Sequence, residues 1–163
     1  MVFIKNIFKE LIPYIIIVVV VVIIRSFIAT PVRVDGDSMN KTFNNGDILI
    51  LYKLSNIERF DVVVLHEESD DEKIIKRIIG MPGDTVAIKD GDIYINDEKI
   101  DDEYAYGITS DYDRITLGDD EYFILGDNRL ISKDSRYFGP VKEKDIKGKV
   151  IFRIFPFSKF GKI

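Results

Sequence analysis

Three short stretches of this 163-residue chain hold residue types that could do covalent chemistry. The first is Gly36-Asp37-Ser38-Met39, a serine set in a turn. Its hydroxyl is a weak nucleophile until a base takes its proton, and the usual base is histidine. His66 is available, and lysine is the other possibility if burial lowers its pKa from about 10.4 towards neutrality. The second stretch is Lys73 to Gly80 (KIIKRIIG). On a strand, alternate residues face opposite sides, so Lys76 shares a face with Ile74 and Ile78 while Arg77 points away. That setting favours a neutral amine on Lys76, whereas Arg77 is always charged and cannot be a base. A strand buried on both sides, with two cations reaching out to water, fits the same parity. The third stretch, Gly126 to Arg136 (GDNRLISKDSR), packs Asp127, Asp134, Arg129, Arg136, Ser132 and Ser135 together. Such a loop can orient a neighbouring amine and stiffen a site wall, or simply pair its charges internally.

The composition removes other chemistries. The chain has no cysteine, which excludes a disulfide framework, a thiol nucleophile, a thiolate metal site and the sortase type of reaction. One histidine rules out a zinc site of several imidazoles and an H-E-x-x-H helix, and His66-Glu67-Glu68 reads as the end of a strand. The aspartates from Asp90 to Asp120 do not fit an EF-hand, because Tyr94 and Ile95 stand where a ligand and a glycine are required. They read as a solvated hairpin and loop, so neither metal nor cofactor is expected. The net charge is −5, and Lys5, Lys9 and Arg25 against Glu10 make the first thirty residues basic, leaving the rest more acidic still. Nothing there suits nucleic acid.

The elements that must position these residues divide in two. Leu11 to Ile24 (LIPYIIIVVVVVII) carries no charge, and Phe8 to Ala29 reaches the roughly 20 residues that cross a bilayer. Residues 1–30 therefore read as a tail and one transmembrane helix. A cleaved signal peptide would need small residues at its processing site, where Phe27 and Ile28 stand instead. Orientation is undecided by charge, since bases flank both ends. Residues 31–163 read as one β-rich domain, an antiparallel sandwich or partly closed barrel. Strands are predicted at Asp47–Leu54, Asp61–His66, Lys73–Gly80, Asp84–Lys89, Gly91–Asn96, Glu121–Leu125 and Lys149–Phe155, separated by turn residues. The ending Phe152 to Ile163 (FRIFPFSKFGKI) suits either a last strand and tail or a segment resting on lipid headgroups.

In this order and spacing, the three stretches and the ending Phe155-Pro156-Phe157-Ser158-Lys159-Phe160-Gly161 closely resemble bacterial type I signal peptidases. These are membrane-anchored Ser-Lys serine endopeptidases. One anchor, a short chain and Lys76 resemble the Gram-positive branch; the endoplasmic-reticulum branch has histidine at that position. The resemblance implies a protein of the bacterial plasma membrane with its catalytic domain on the extracytoplasmic side. Its partners would be secreted preproteins and membrane lipids. Ser38 would be the nucleophile and Lys76 the general base, with the Ser38 backbone N–H in the oxyanion hole. Ser132 would hydrogen-bond the Lys76 amine. Asp127 would pair with Arg77 and Arg136, with Asp134 beside them, and Gly36 and Met39 would lie on the turn and substrate side. Some relatives add a serine hydroxyl at the position of Gly36, a donor worth about 2.7 to 4 kcal/mol. Substrate would bind extended along an edge strand, with small residues one and three before the cut. Lys41 replaces a usual proline in the S-M-x-P-T pattern and is expected to loosen the turn, Phe43 replaces a leucine, and Leu130 and Ile131 replace polar residues. Two rivals follow: a related Ser-Lys protease with a specialised or self-cleaving role, and a catalytically weakened membrane protein that binds extended peptides.

Overall fold

A computed structural model of the chain describes residues 2–67 and 72–163, with side chains over 10–66 and 73–163. Glu68 and the side chains of Lys5 and Lys9 lie outside the described residues. The N-terminal apolar run forms α1 (Val2–Ile23), continued by a π-helical turn over Ile24–Ile28. Within it, Glu10–Ile28 has a mean hydropathy of 2.8, is not buried by the rest of the chain, and is long and apolar enough to cross a membrane.

The chain passes from this helix into strand β1 (Ala29–Arg33) without a linker, so the body begins just before residue 31. Lys53 fastens the joint: its ammonium donates to the carbonyls of Arg25 at 3.1 Å and Ser26 at 2.9 Å, and its N–H donates to Ile28 O at 2.9 Å. These are helix-end carbonyls that lack intrahelical partners, and a lysine there also complements the helix dipole.

The remainder is two antiparallel sheets. The larger contains β1, β2 (Ile48–Tyr52), β3 (Val62–Glu67), β4 (Glu72–Gly80), β9 (Glu121–Leu125), β10 (Val141–Lys142), β11 (Ile146–Phe155) and β12 (Gly161–Lys162). Its order is β1-β2-β11-β3-β4-β9-β10, with β12 beside β11. The smaller has β5 (Thr85–Lys89), β6 (Asp92–Ile95), β7 (Glu98–Ile100) and β8 (Tyr112–Thr116), in the order β7-β6-β5-β8. The VVVL of β3 and the YFIL of β9 are continuous apolar runs because both faces of these strands are buried, while β2, β5 and β6 alternate. All seven predicted strands are present within a few residues. The acidic stretch is more structured than expected, since it contains β7 and β8.

The central strand for function is β4, held between β3 and β9. Val63 pairs with Lys76 and Leu65 with Ile74. Ile74 and Ile78 join Val63, Leu65 and Ile124 in one core cluster, and Ile75 packs in another with Val34, Met39 and Phe43. The parity read from the sequence thus places Lys76 on an apolar face. The strand ends at Gly80, where a Cβ would stand 2.6 Å from Val86 Cγ2 and 2.9 Å from Phe123 Cβ. This close approach lets the chain cross to the second sheet.

Candidate active site

Ser38 lies in the turn between β1 and β2, and Lys76 lies mid-strand on β4; Ser38 Oγ and Lys76 Nζ are 2.8 Å apart. Lys76 is 3% exposed, so the residue is almost wholly withdrawn from water. A cleft of about 520 Å³ adjoins the pair, lined along one side by Arg33 to Gly36 and along the other by Lys73 to Ile75. His66, the other possible base, stands opposite Lys73 in the register of β3 and β4.

The serine turn is held from three directions. From behind, Asn128 N–H donates to Ser38 O at 3.0 Å, and the Asn128 side chain donates to Asp37 O at 3.3 Å. From below, Met39 and Phe43 are fully buried in the core. Met39, expected on the substrate side, is therefore mainly a core anchor that also reaches the cleft wall. From the side, Thr42 Oγ1 donates to Asp127 and accepts from Arg77 Nη2 at 3.2 Å. Thr42 carries no charge and was not singled out from the sequence, although it belongs to the S-M-x-P-T pattern. It ties the serine turn to both other stretches at once, beside the Ser38–Lys76 and Ser38–Asn128 contacts.

Arg77 and Asp127 form a two-pronged pair, Nε to Oδ1 at 2.8 Å and Nη2 to Oδ2 at 2.6 Å, with both side chains buried. Arg77 also donates to Phe60 O at 2.8 Å and lies 3.7 Å over the Tyr104 ring. Removing one partner of such a pair strands a buried charge at a cost of about 3 to 5 kcal/mol. Arg136 does not join this network: it pairs with Asp134, Nε to Oδ1 at 2.8 Å and Nη2 to Oδ2 at 2.9 Å. The two residues are close in sequence because Asp134 caps the short helix α2 (Ser135–Phe138), accepting from Arg136 N–H at its start. Asp134 also accepts from Gly126 N–H at 3.0 Å, which folds the loop back onto β9.

Ser132 is buried beside Gly126, but its hydroxyl has no hydrogen-bond partner among the described residues. The bond to Lys76 that the resemblance implies is not made in this structure. Gly36 has φ +83°, a left-handed conformation that disfavours a side chain, and a Cβ there would meet nothing within 4 Å. Glycine at this position therefore fits the backbone, and the donor it cannot provide is not replaced from position 36.

Lys41 does not loosen the turn. It has φ +102°, which proline's ring cannot adopt, and its ammonium donates to Glu103 O at 2.7 Å and Ala105 O at 3.4 Å. The acidic stretch likewise has a buried member, since Asp102 pairs with Arg129, whose Nη1 donates to Thr109 Oγ1 at 2.8 Å.

A family model described as signal peptidase, peptidase S26, matches residues 7–155. Among curated relatives, "Signal peptidase I" of Streptococcus pneumoniae is 34% identical over 96% of this chain and 97% of that one. "Signal peptidase IB" of Staphylococcus aureus is 37% identical over 93% of each. A solved structure of a signal peptidase I from Enterococcus faecalis is similar with a TM-score of 0.54 and 32% identity, covering 58% of this chain and 97% of that one.

Proposed function

Since the chain belongs to the signal peptidase family, peptidase S26, we propose that it removes N-terminal signal peptides from exported preproteins with a Ser38–Lys76 dyad. The observation that carries this reading is the 2.8 Å approach of the Ser38 hydroxyl to a buried lysine amine. Neutral Lys76 takes the hydroxyl proton as Ser38 Oγ bonds to the carbonyl carbon before the scissile bond. The oxyanion that forms accepts from Ser38 N–H. The carbon–nitrogen bond then breaks, Lys76 passes its proton to the leaving amine, and Ser38 is left as an ester. Lys76 next takes a proton from water as the water oxygen bonds to the ester carbon. The Ser38 Oγ–carbon bond then breaks, Lys76 returns that proton to Ser38 Oγ, and the signal peptide leaves as a carboxylic acid that ionises in water.

Asp127 with Arg77, joined through Thr42, holds the turn and strand in register; Asp134 with Arg136 shapes the loop behind them. Ser132 lies in this loop beside Gly126, with its buried hydroxyl available to the Lys76 amine as the family resemblance implies. Substrate lies extended in the cleft between residues 33–36 and 73–75, with small side chains near the cut. Residues 1–30 anchor the protein in the bacterial plasma membrane among its lipids, and residues 31–163 form the catalytic domain outside the cytoplasm. The rival of a weakened peptide binder draws no support from Lys41, because that turn is braced.

The test is incubation in detergent with a preprotein carrying an Ala-x-Ala site. Wild type should cut after the second alanine and Ser38→Ala should not; equal cutting by both would overturn the assignment.

A further inference from the structure

Loop 126–131, which supports Ser38 from behind, presents an apolar surface that the reaction as described does not use. Leu130 and Ile131 are 63% and 62% exposed, and Tyr106 and Ile108 are 56% and 79% exposed. They are neighbours: Tyr106 bridges to Asn128, Arg129 N–H donates to Tyr106 O at 2.9 Å, and the Gly107 backbone lies so close to Leu130 that a Cβ there would overlap it. Single exposed apolar residues are ordinary, but four together on two joined loops mark a contact surface.

Its position identifies the occupant. The cleft walls, Arg33 to Gly36 and Lys73 to Ile75, both run in sequence up to the catalytic pair. Asn128, which is not among the residues lining that cleft, donates to Ser38 O and Asp37 O and so joins the serine turn to the 126–131 loop. A polypeptide whose scissile bond sits at Ser38 Oγ, with its upstream residues in the cleft, leaves over Asn128 towards Leu130 and Ile131. The surroundings argue against lipid, because in sequence the exposed Asp101, Glu103, Asp111 and Asp113 bracket Tyr106 and Ile108 and outnumber Lys41 and Arg136, which donate to Glu103 O, Ala105 O and Ser110 Oγ, so anionic headgroups are repelled. On the reading that Ser38 attacks a peptide bond, we infer that Tyr106, Ile108, Leu130 and Ile131 form a docking surface for the substrate segment downstream of the cut. It selects apolar side chains two to four residues beyond that bond.

Two peptides with one Ala-x-Ala upstream sequence and either leucine or serine at those downstream positions test this with the full-length protein in detergent. Wild type should show kcat/KM roughly five- to tenfold higher for the leucine peptide, the range for a partly buried aliphatic side chain. Leu130→Ser/Ile131→Ser should erase that preference while cleaving the serine peptide at the wild-type rate. The same preference should appear in the affinities of Ser38→Ala for the two peptides, so the surface is tested even if the assignment of Ser38 fails. Equal handling of the two peptides by wild type, or a preference that survives the double substitution, would overturn the inference. So would a double substitution that alters only binding to vesicles of anionic phospholipid.

Discussion

At the scale of single residues, the proposed dyad has the Ser38 hydroxyl and the Lys76 amine act on one proton, so their contributions should not add. Ser38→Ala and Lys76→Ala should each lower kcat by on the order of 10⁴ or more, and the double variant should be no slower than either. Single-turnover rates together with melting temperatures check this, and a double variant much slower than both would mean that Lys76 acts independently of Ser38. Lys41 offers a prediction opposite to what a family pattern suggests. Because its φ is +102°, Lys41→Pro should distort the turn and reduce activity at least tenfold, whereas Lys41→Gly should leave the backbone conformation intact. Measured kcat values for the two variants decide; an active proline variant would show that the turn has another stable conformation. Such a residue is opaque in the sequence, since the left-handed backbone of a lysine leaves no compositional mark.

Among the elements, β9 and its loop set the tightest steric limit on the site. A Cβ at Gly126 would press on the Ser132 side chain and stand 2.6 Å from Ser38 O. Gly126→Ala should therefore displace the serine turn and lower kcat more than it raises KM, because the cleft walls are formed elsewhere. A change confined to KM would refute that. The elements themselves were largely legible: the isoleucines of β4 gave its parity, and turn residues bracketed β2, β5 and β6. Strand β1 was hidden by Pro31 and its continuity with the apolar run, and β8 by its charges, since only Tyr112 and Ile115 are drawn inward. Loop 126–136 stood out for its density of charge, but its pairings did not. Arg129 finds Asp102 across 27 positions, and Arg136 finds Asp134 only because that aspartate caps a helix of four residues.

For the molecule as a whole, the apolar helix and the β-rich body make separate demands that the sequence states clearly. If residues 31–163 lie outside the cytoplasm, protease added to intact wall-stripped cells should degrade the body and leave a protected N-terminal fragment of about 3 kDa, the helix with its short tail. Full protection of the body would reverse the topology. The absence of a linker between α1 and β1, with Lys53 bonded across the joint, has a further consequence in rotation. If Glu10–Ile28 spans the bilayer, this joint makes the helix and the body turn together, and helical phase then sets the direction in which the cleft faces within the plane of the membrane. One valine inserted near Val20 would turn the lower helix by about 100° against the body while changing its length by only about 1.5 Å. Soluble peptides should be cut as before, while preproteins embedded in the same bilayer should be cut more slowly in proportion to any face of the helix that guides them. Inserting a total of seven residues, close to two full turns, should restore the original bearing.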